Sequence, residues 1–367
     1  MNAIDYLNGY RDKTFKEVPF NEVDALLLAL MSYFPFDMVK KKKIDAITMI
    51  EFLKSFTPPR KTERKLLDIV VLNTLCTGKR YKGIKFVDFE KKVSSEAIEQ
   101  FQAVTIDFKD FMFVSFCGTD ATVLGWREDM NMSFLDIVPS EVDAVRYINN
   151  IRKKHPFKPI YIGGHSKGGR LAVRAGKEIF KNNTVQAIFS FDGPNFIDSF
   201  YDDKYEEMKH LIYEYAPNES IIGRLISDKQ KIIVMSNSTL LGQHNGYTWL
   251  VEEDHFVHTE SYNETSNKIA KVTGDIFHDL DNSTKSAVIN VIFDAAEKID
   301  FKLLKDSDNP IEVITDAIKN LKSGWKSIPK EKRKVVTSVV TSIILIIVQN
   351  NKFVGKVKST LKPEKNS

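Results

Sequence analysis

The sequence predicts an α/β fold with a mainly parallel sheet that is covered by helices on both faces. Short apolar stretches alternate with helical stretches from about residue 140 to residue 235, an alternation typical of parallel sheets. A hairpin pattern precedes this region and predicts an antiparallel edge. With 367 residues and 43% hydrophobic composition, the chain can form one large domain and an additional helical region.

The individual elements follow from the spacing of the apolar residues. Apolar helices are predicted at 21–36 and 44–56, followed by two strands at 103–108 and 111–116 that Lys109-Asp110 separates. Further strands are predicted at 160–162, 186–191, 211–215 and 232–235, and helices at about 140–153, from 167 onward and near 222–227.

The C-terminal part of the chain has a purely helical pattern, so we predict a first domain over 1–264 and a helical region over 265–367. Segment 335–348 is the longest apolar run and has basic residues on both sides. It is shorter than the roughly 20 residues that cross a bilayer. A helix packed on protein, a membrane-surface or short spanning anchor, and a buried strand therefore stay open as interpretations.

Composition narrows the class of protein. Cys76 and Cys117 are too few for a disulfide framework or a cysteine metal site, and we expect no metal and no cofactor. The start of the chain lacks a secretory signal pattern, which favours a cytoplasmic protein. Membrane association through the C-terminal tail, residues 329–367, is an open alternative. The basic residues of 329–367 flank an apolar run and do not line an aromatic-rich face, so we expect no nucleic-acid partner.

The stretch Gly164-His165-Ser166-Lys167-Gly168 follows an apolar strand and begins a helix. In this setting G-x-S-x-G forms the nucleophile elbow of an α/β-hydrolase fold, with Ser166 as the nucleophile. Gly164 and Gly168 would let the strand and the helix pass closely. A structural glycine-rich turn is the alternative.

A serine needs a base to take its proton and an acid to orient that base. In α/β-hydrolases the chain order is Ser, acid, His. His244 follows the strand at 232–235 and is the predicted base, whereas Glu219 follows the strand at 211–215 and is the predicted acid. The alternatives are His255 or His258 as the base, and Asp192 or Asp228 as the acid.

The tetrahedral intermediate of acyl transfer also needs an oxyanion hole with two donors. The backbone N–H of Lys167, directly after the nucleophile, is the first predicted donor. Thr119 lies in the turn after the strand at 111–116 and could donate from its N–H and its hydroxyl.

Four stretches occur in an order that resembles the class 3 lipases. They are Phe116-Cys117-Gly118-Thr119, Trp126-Arg127-Glu128-Asp129, Gly164-His165-Ser166-Lys167-Gly168-Gly169, and His244 followed by Gly246 and Trp249. Within that class they look closest to a bacterial branch, domain-of-unknown-function family 2974. The family's stretches read F-R-G-T-D, G-W-x-E-D, G-H-S-x-G-G and Q-H-D. A fifth family pattern, P-x-D-S-x-x-G, corresponds to Pro217–Gly223 of this chain. The likeness covers roughly residues 1–260.

The resemblance implies the same roles for Ser166, His244, Thr119 and Lys167, and places Glu219 where the family has Asp. It also implies a lid-like or substrate-facing segment between Thr119 and Trp126. Cys117 departs from the family by replacing an arginine.

The leading functional hypothesis is a serine hydrolase that cleaves carboxylic esters of lipid-like or other apolar acyl substrates. A membrane-associated or partner-binding protein that keeps the fold without significant turnover is the first alternative. A thioesterase or amidase is the second, because a triad and an oxyanion hole serve any acyl transfer.

Overall fold

The computed structural model describes residues 1–38, 43–45, 48–49, 51, 71–74, 77–119, 123–220, 222–224, 229–264, 266–267, 270–271, 281, 285, 330 and 333. The chain divides into two compact units, Met1–Ala270 and Lys271–Ser367. The apolar segment 335–348, and all but single positions of the predicted helices after residue 281, lie outside the described residues. Within the described ranges, every helix is too short or too polar to cross a bilayer.

A mixed eight-stranded sheet forms the centre of the first unit, and its strands lie in chain order. They are β1 Lys43–Asp45, β2 Lys85–Ser94, β3 Glu99–Asp107, β4 Met112–Phe116, β5 Ile160–His165, β6 Val185–Phe191, β7 Ile212–Pro217 and β8 Ile232–Val234. Strands β1 to β4 pair antiparallel, and β4 to β8 pair parallel. The predicted parallel sheet with an antiparallel edge is confirmed.

Helices cover both faces of this sheet. They are α1 Ala3–Tyr10, α2 Glu22–Leu30, α3 Val123–Asn131, α4 Pro139–Lys154, α5 Lys167–Ile179 and α6 Asp203–Met208. Because β4 to β8 succeed one another in one direction, right-handed crossovers put α4 and α5 on the same face, where they pack on Met112, Val114 and Phe116. The N-terminal helices α1 and α2 cover the other face, packing on Phe113 and Phe189.

Several element boundaries differ from the prediction. Helix α2 ends at Leu30 and continues only as a 3-10 turn, because Phe34 is extended before Pro35 and a residue before proline avoids the helical region. The predicted helix 44–56 is wrong at its start, since Ile44 pairs with Phe86 in the sheet. The helix expected near 222–227 is a 3-10 turn over Ile222–Arg224 in its described part.

A buried ion pair joins helix α2 to the segment before β2. Asp24 and Arg80 have fully buried side chains and form a salt bridge, with Arg80 Nε 2.9 Å from Asp24 Oδ1. The hydroxyls of Tyr6 and Tyr81 donate to the same carboxylate. Arg80 also donates to the carbonyl of Val18 at 2.8 Å. Every charge of this cluster therefore has several hydrogen bonds in the interior of the protein.

Candidate active site

The turn between β5 and α5 has the backbone of a nucleophile elbow. Ser166 adopts φ 59° and ψ −134°, a region that non-glycine residues rarely adopt. It stands at the N-cap of α5, yet its side chain makes no capping hydrogen bond to the helix. The Ser166 N–H donates to the carbonyl of Phe191 at 2.8 Å, which ties the elbow to the end of β6. The serine hydroxyl is thus not used to cap the helix.

Glycine is required on both sides of Ser166. A Cβ atom at Gly164 would lie 2.2 Å from the backbone of Gly168, and one at Gly168 would lie 2.1 Å from the carbonyl oxygen of Phe116. Because these neighbours are backbone atoms, they cannot move away to make room for a side chain. Strand β5 and helix α5 pass as closely as the sequence pattern predicts.

His244 is hydrogen-bonded to a carboxylate, and that carboxylate belongs to Asp192. His244 Nδ1 lies 2.6 Å from Asp192 Oδ2, and the Asp192 side chain is 1% exposed. Asp192 directly follows β6 and, like Ser166, has a positive φ, of 51°. An imidazole held at Nδ1 by a carboxylate keeps Nε2 available for proton transfer.

The expected pairing of Glu219 with His244 is wrong. Glu219 follows β7, one strand further from the nucleophile, and its carboxylate accepts a hydrogen bond from Asn263 Nδ2 at 2.7 Å. The same loop instead supports Asp192: Ser220 Oγ and the N–H of Gly223 both donate to Asp192 Oδ1. The loop predicted to carry the acid therefore supplies donors that hold it.

His165 connects the elbow to the loop that carries His244. Its Nε2 lies 2.7 Å from the carbonyl oxygen of His244, and its Nδ1 lies 3.0 Å from the hydroxyl of Tyr33. The two imidazole rings are 4.5 Å apart between centroids. As Nε2 must donate to a carbonyl, the neutral His165 carries its proton there and accepts from Tyr33.

The turn after β4 lies against the elbow, as predicted. A Cβ at Gly118 would be 2.1 Å from the Tyr33 hydroxyl and 3.0 Å from Ser166 Cβ, so only glycine fits between them. Thr119 follows, and its hydroxyl donates to Asp129 Oδ2. Cys117 is a buried cysteine in this turn. Residues 120–122, the start of the expected lid-like segment, lie outside the described residues.

Asp129 is a carboxyl group beside this turn whose pKa is raised. Burial raises the pKa of Asp129 to about 6, and the nearby Lys167 and the Thr119 hydroxyl oppose that rise. Asp129 Oδ1 is buried without a hydrogen-bond partner in the part of the chain that the structure describes, 4.0 Å from Lys167 Nζ. Asp129 therefore carries a negative charge at neutral pH at an energetic cost.

Ser166, His244 and Thr119 were predicted to share one site, and the structure brings the three to one end of the sheet. Asp192 was rated below Glu219, although a carboxylate directly after the strand next to the elbow was a usable signal. No role was predicted for Tyr33, which no local pattern marks, or for Glu128, although Glu128 stands in the stretch Trp126-Arg127-Glu128-Asp129 that resembles G-W-x-E-D.

The strand order and the strained serine at the β5–α5 turn define an α/β-hydrolase fold. The sequence model of the Mbeg1-like family matches residues 75–294, more than half of the chain. The chain belongs to the Mbeg1-like family. No curated protein matches it.

Solved structures that match include fungal lipases of low sequence identity. The lipase of Rhizopus microsporus var. chinensis is 12% identical over 69% of this chain and 83% of its own, with a TM-score of 0.39. MDLA of Penicillium cyclopium, in a mutant form, is 10% identical over 66% and 87%, with a TM-score of 0.40. The lipase–propeptide complex of Rhizomucor miehei is 14% identical with a TM-score of 0.31; the match covers 42% of this chain and spans 57% of that protein's length.

Proposed function

We propose that the protein is a serine hydrolase that cleaves carboxylic esters of lipid-like or other apolar acyl substrates. The observation that carries the proposal is the combination of a strained Ser166 at the elbow with His244 held by Asp192 at 2.6 Å. Ser166 is the nucleophile, His244 the base and Asp192 the acid. The substrate class rests on the resemblance to class 3 lipases, which we keep as a proposal together with its branch, domain-of-unknown-function family 2974.

In the first half of the reaction, Ser166 Oγ attacks the ester carbonyl carbon while His244 Nε2 takes the hydroxyl proton. The resulting oxyanion accepts hydrogen bonds from the N–H groups of Lys167 and Thr119. The Thr119 hydroxyl donates to Asp129, so we assign the hole to its backbone N–H. Collapse breaks the bond to the alkoxy oxygen, and His244 returns the proton to the departing alcohol.

In the second half, a water molecule attacks the acyl group on Ser166 and gives its proton to His244. Breakdown of the second tetrahedral intermediate releases the carboxylic acid and restores the serine hydroxyl. Asp192 keeps one position throughout, because the Ser220 hydroxyl and the Gly223 N–H both donate to its Oδ1. It orients His244 and stabilises the imidazolium.

Labelling with a fluorophosphonate, which reacts with an activated serine, tests this proposal. We expect wild-type protein to be labelled, and Ser166→Ala and His244→Ala to lose the label while keeping the circular-dichroism spectrum of the fold. Labelled wild type would next be assayed with p-nitrophenyl esters of graded acyl length. A folded wild-type protein that neither reacts with the probe nor hydrolyses any ester would contradict the proposal.

We propose in addition that 335–348 contacts a membrane surface, on the strength of its apolar run between basic residues. Flotation of full-length protein with vesicles containing anionic lipid, compared with Ser166→Ala, checks this. Equal flotation of both is expected, because Ser166→Ala leaves residues 335–348 unchanged, and absence of flotation contradicts the proposal.

A further inference from the structure

The side chain of Lys167 is a buried cation that the proposed reaction does not use. Lys167 follows the nucleophile, but its side chain enters the interior and is fully buried. Its Nζ lies 2.6 Å from the carbonyl oxygen of Gln100, 2.9 Å from Gln100 Oε1 and 2.9 Å from Glu128 Oε2. All three ammonium protons therefore have acceptors, and the cation is locked in one position.

Glu128, on α3, is held from both of its oxygens. Oε2 accepts from the N–H of Gln100 at 3.0 Å as well as from Lys167, and Oε1 accepts from the N–H of Ser140 at 3.0 Å. A glutamine here would point its NH₂ group at one of these N–H donors in either orientation. The position therefore requires a carboxylate, whose charge Lys167 balances.

A buried ion pair of this kind is expensive, because two charges leave water and an apolar pair of similar volume is often at least as stable. Such a pair calls for a reason beyond stability. One member of the pair, Lys167, is also the residue whose backbone N–H we assign to the oxyanion hole. The next two residues of α5, Gly168 and Gly169, have no side chains, so Lys167 supplies the one side-chain anchor in the first three residues of that helix.

We propose that Lys167 is a positioning residue for the oxyanion hole: its ammonium group, fixed on Gln100 and Glu128, holds the backbone N–H of residue 167 toward the developing negative charge. The inference rests on the proposed function. It also explains why Glu128 and Asp129 adjoin on α3, since the first contacts Lys167 and the second contacts Thr119. One helix thereby touches both residues of the hole.

The test compares Lys167→Met with Lys177→Met in the full-length chain. Lys177 is a matched control because it lies on the same helix, is 8% exposed, and has its Nζ 2.6 Å from the carbonyl oxygen of Phe200 and 2.7 Å from Asp202. With p-nitrophenyl butyrate, Lys167→Met should lower kcat by about tenfold to a hundredfold with KM within about twofold, less than the loss of a whole donor. Lys177→Met should leave both constants within about twofold.

A second variant keeps the test decisive if Lys167→Met does not fold. Lys167→Gln keeps an NH₂ donor, on a side chain one bond shorter, but lacks the charge, and should lower kcat in the same direction. After phosphonylation of Ser166, the ³¹P resonance of the adduct should shift in Lys167→Gln and not in Lys177→Met, because the phosphoryl oxygen occupies the hole. A structural role alone would leave that resonance unchanged.

Two results are distinguishable. Wild type with Ser166-dependent turnover, and Lys167 variants with unchanged kcat and ³¹P resonance, would overturn this inference and leave the proposed function standing. Wild type without Ser166-dependent turnover or labelling would overturn the proposed function, and this inference with it.

Discussion

Asp192 Oδ2 lies 2.6 Å from His244 Nδ1, although 52 residues separate the two in the chain. The carboxylate is buried, and its other oxygen accepts from the Ser220 hydroxyl and from the Gly223 N–H. The arrangement gives the imidazole one orientation and one tautomer. The other carboxylate considered from the sequence, that of Glu219, accepts a hydrogen bond from Asn263 instead.

The first prediction compares those two carboxylates. Asp192→Asn should lower kcat by about a thousandfold or more, because an amide at this place favours the wrong imidazole tautomer. Glu219→Gln should leave kcat within about threefold, as the Glu219 carboxylate accepts from Asn263 and the carboxylate at His244 Nδ1 is that of Asp192. Ester hydrolysis by the two purified variants, each checked for folding by circular dichroism, measures the difference. Equal losses in both, or a larger loss in Glu219→Gln, would contradict the assignment of Asp192.

The elbow was predictable because its signal is local. A strand, a serine between two glycines and a helix follow one another within about twenty residues, and steric contact at Gly164 and Gly168 leaves few alternatives. The acid was not predictable in the same way. Two loops after neighbouring strands each carry a carboxylate, and only the packing of the loop at Ser220 decides which one faces His244.

The antiparallel edge of the sheet was likewise hard to predict from the sequence. Strand β2 was not predicted, since its alternation is broken by charged residues and by a bulge between Val87 and Glu90, where Asp88 has φ 48°. Its antiparallel pairing with β3, across the short turn at 95–98, makes it a strand. The parallel part of the sheet carries continuous apolar strands and could therefore be predicted.

The second prediction concerns the strain at Ser166. At φ 59° and ψ −134° a side chain costs energy that glycine does not incur. We expect Ser166→Gly to unfold in urea with a free energy of unfolding about 1 kcal/mol higher than that of Ser166→Ala, with both variants inactive. If the alanine variant proved as stable as the glycine variant, the elbow would not be strained in solution.

The third prediction uses Asp129, whose pKa burial raises to about 6 from its ordinary 3.8. Between these two values Asp129 binds more protons in the folded protein than in the unfolded chain, so its contribution to stability falls as pH rises from about 4 to about 6. Asp129→Asn removes the buried charge and keeps an acceptor for Thr119. We expect it to be more stable than wild type by about 1 to 3 kcal/mol at pH 7 and by much less at pH 4.

Urea unfolding of wild type, Asp129→Asn and Asp254→Asn across this pH range makes the comparison. Asp254 is a suitable control because its side chain is 42% exposed. The difference in free energy of unfolding between wild type and Asp129→Asn should widen as pH rises. A difference that stays constant with pH, or narrows as pH rises, would show that Asp129 is not the group that titrates there.

The last prediction separates a buried ion pair from an exposed one. In the Arg80–Asp24 pair both side chains are fully buried, whereas those of Arg146 and Glu90 are 44% and 32% exposed. Arg80→Met leaves the Asp24 carboxylate without its cation and should lower the free energy of unfolding by about 3 to 5 kcal/mol. Arg146→Met should cost about 1 kcal/mol or less, since water screens its charge.

Urea unfolding at one pH measures the loss of stability in both variants. Fluorophosphonate labelling of the folded fraction should be equal in the two, because neither arginine touches Ser166, His244 or Asp192. Similar losses of stability in the two variants would mean that the Asp24 cluster is open to water in solution.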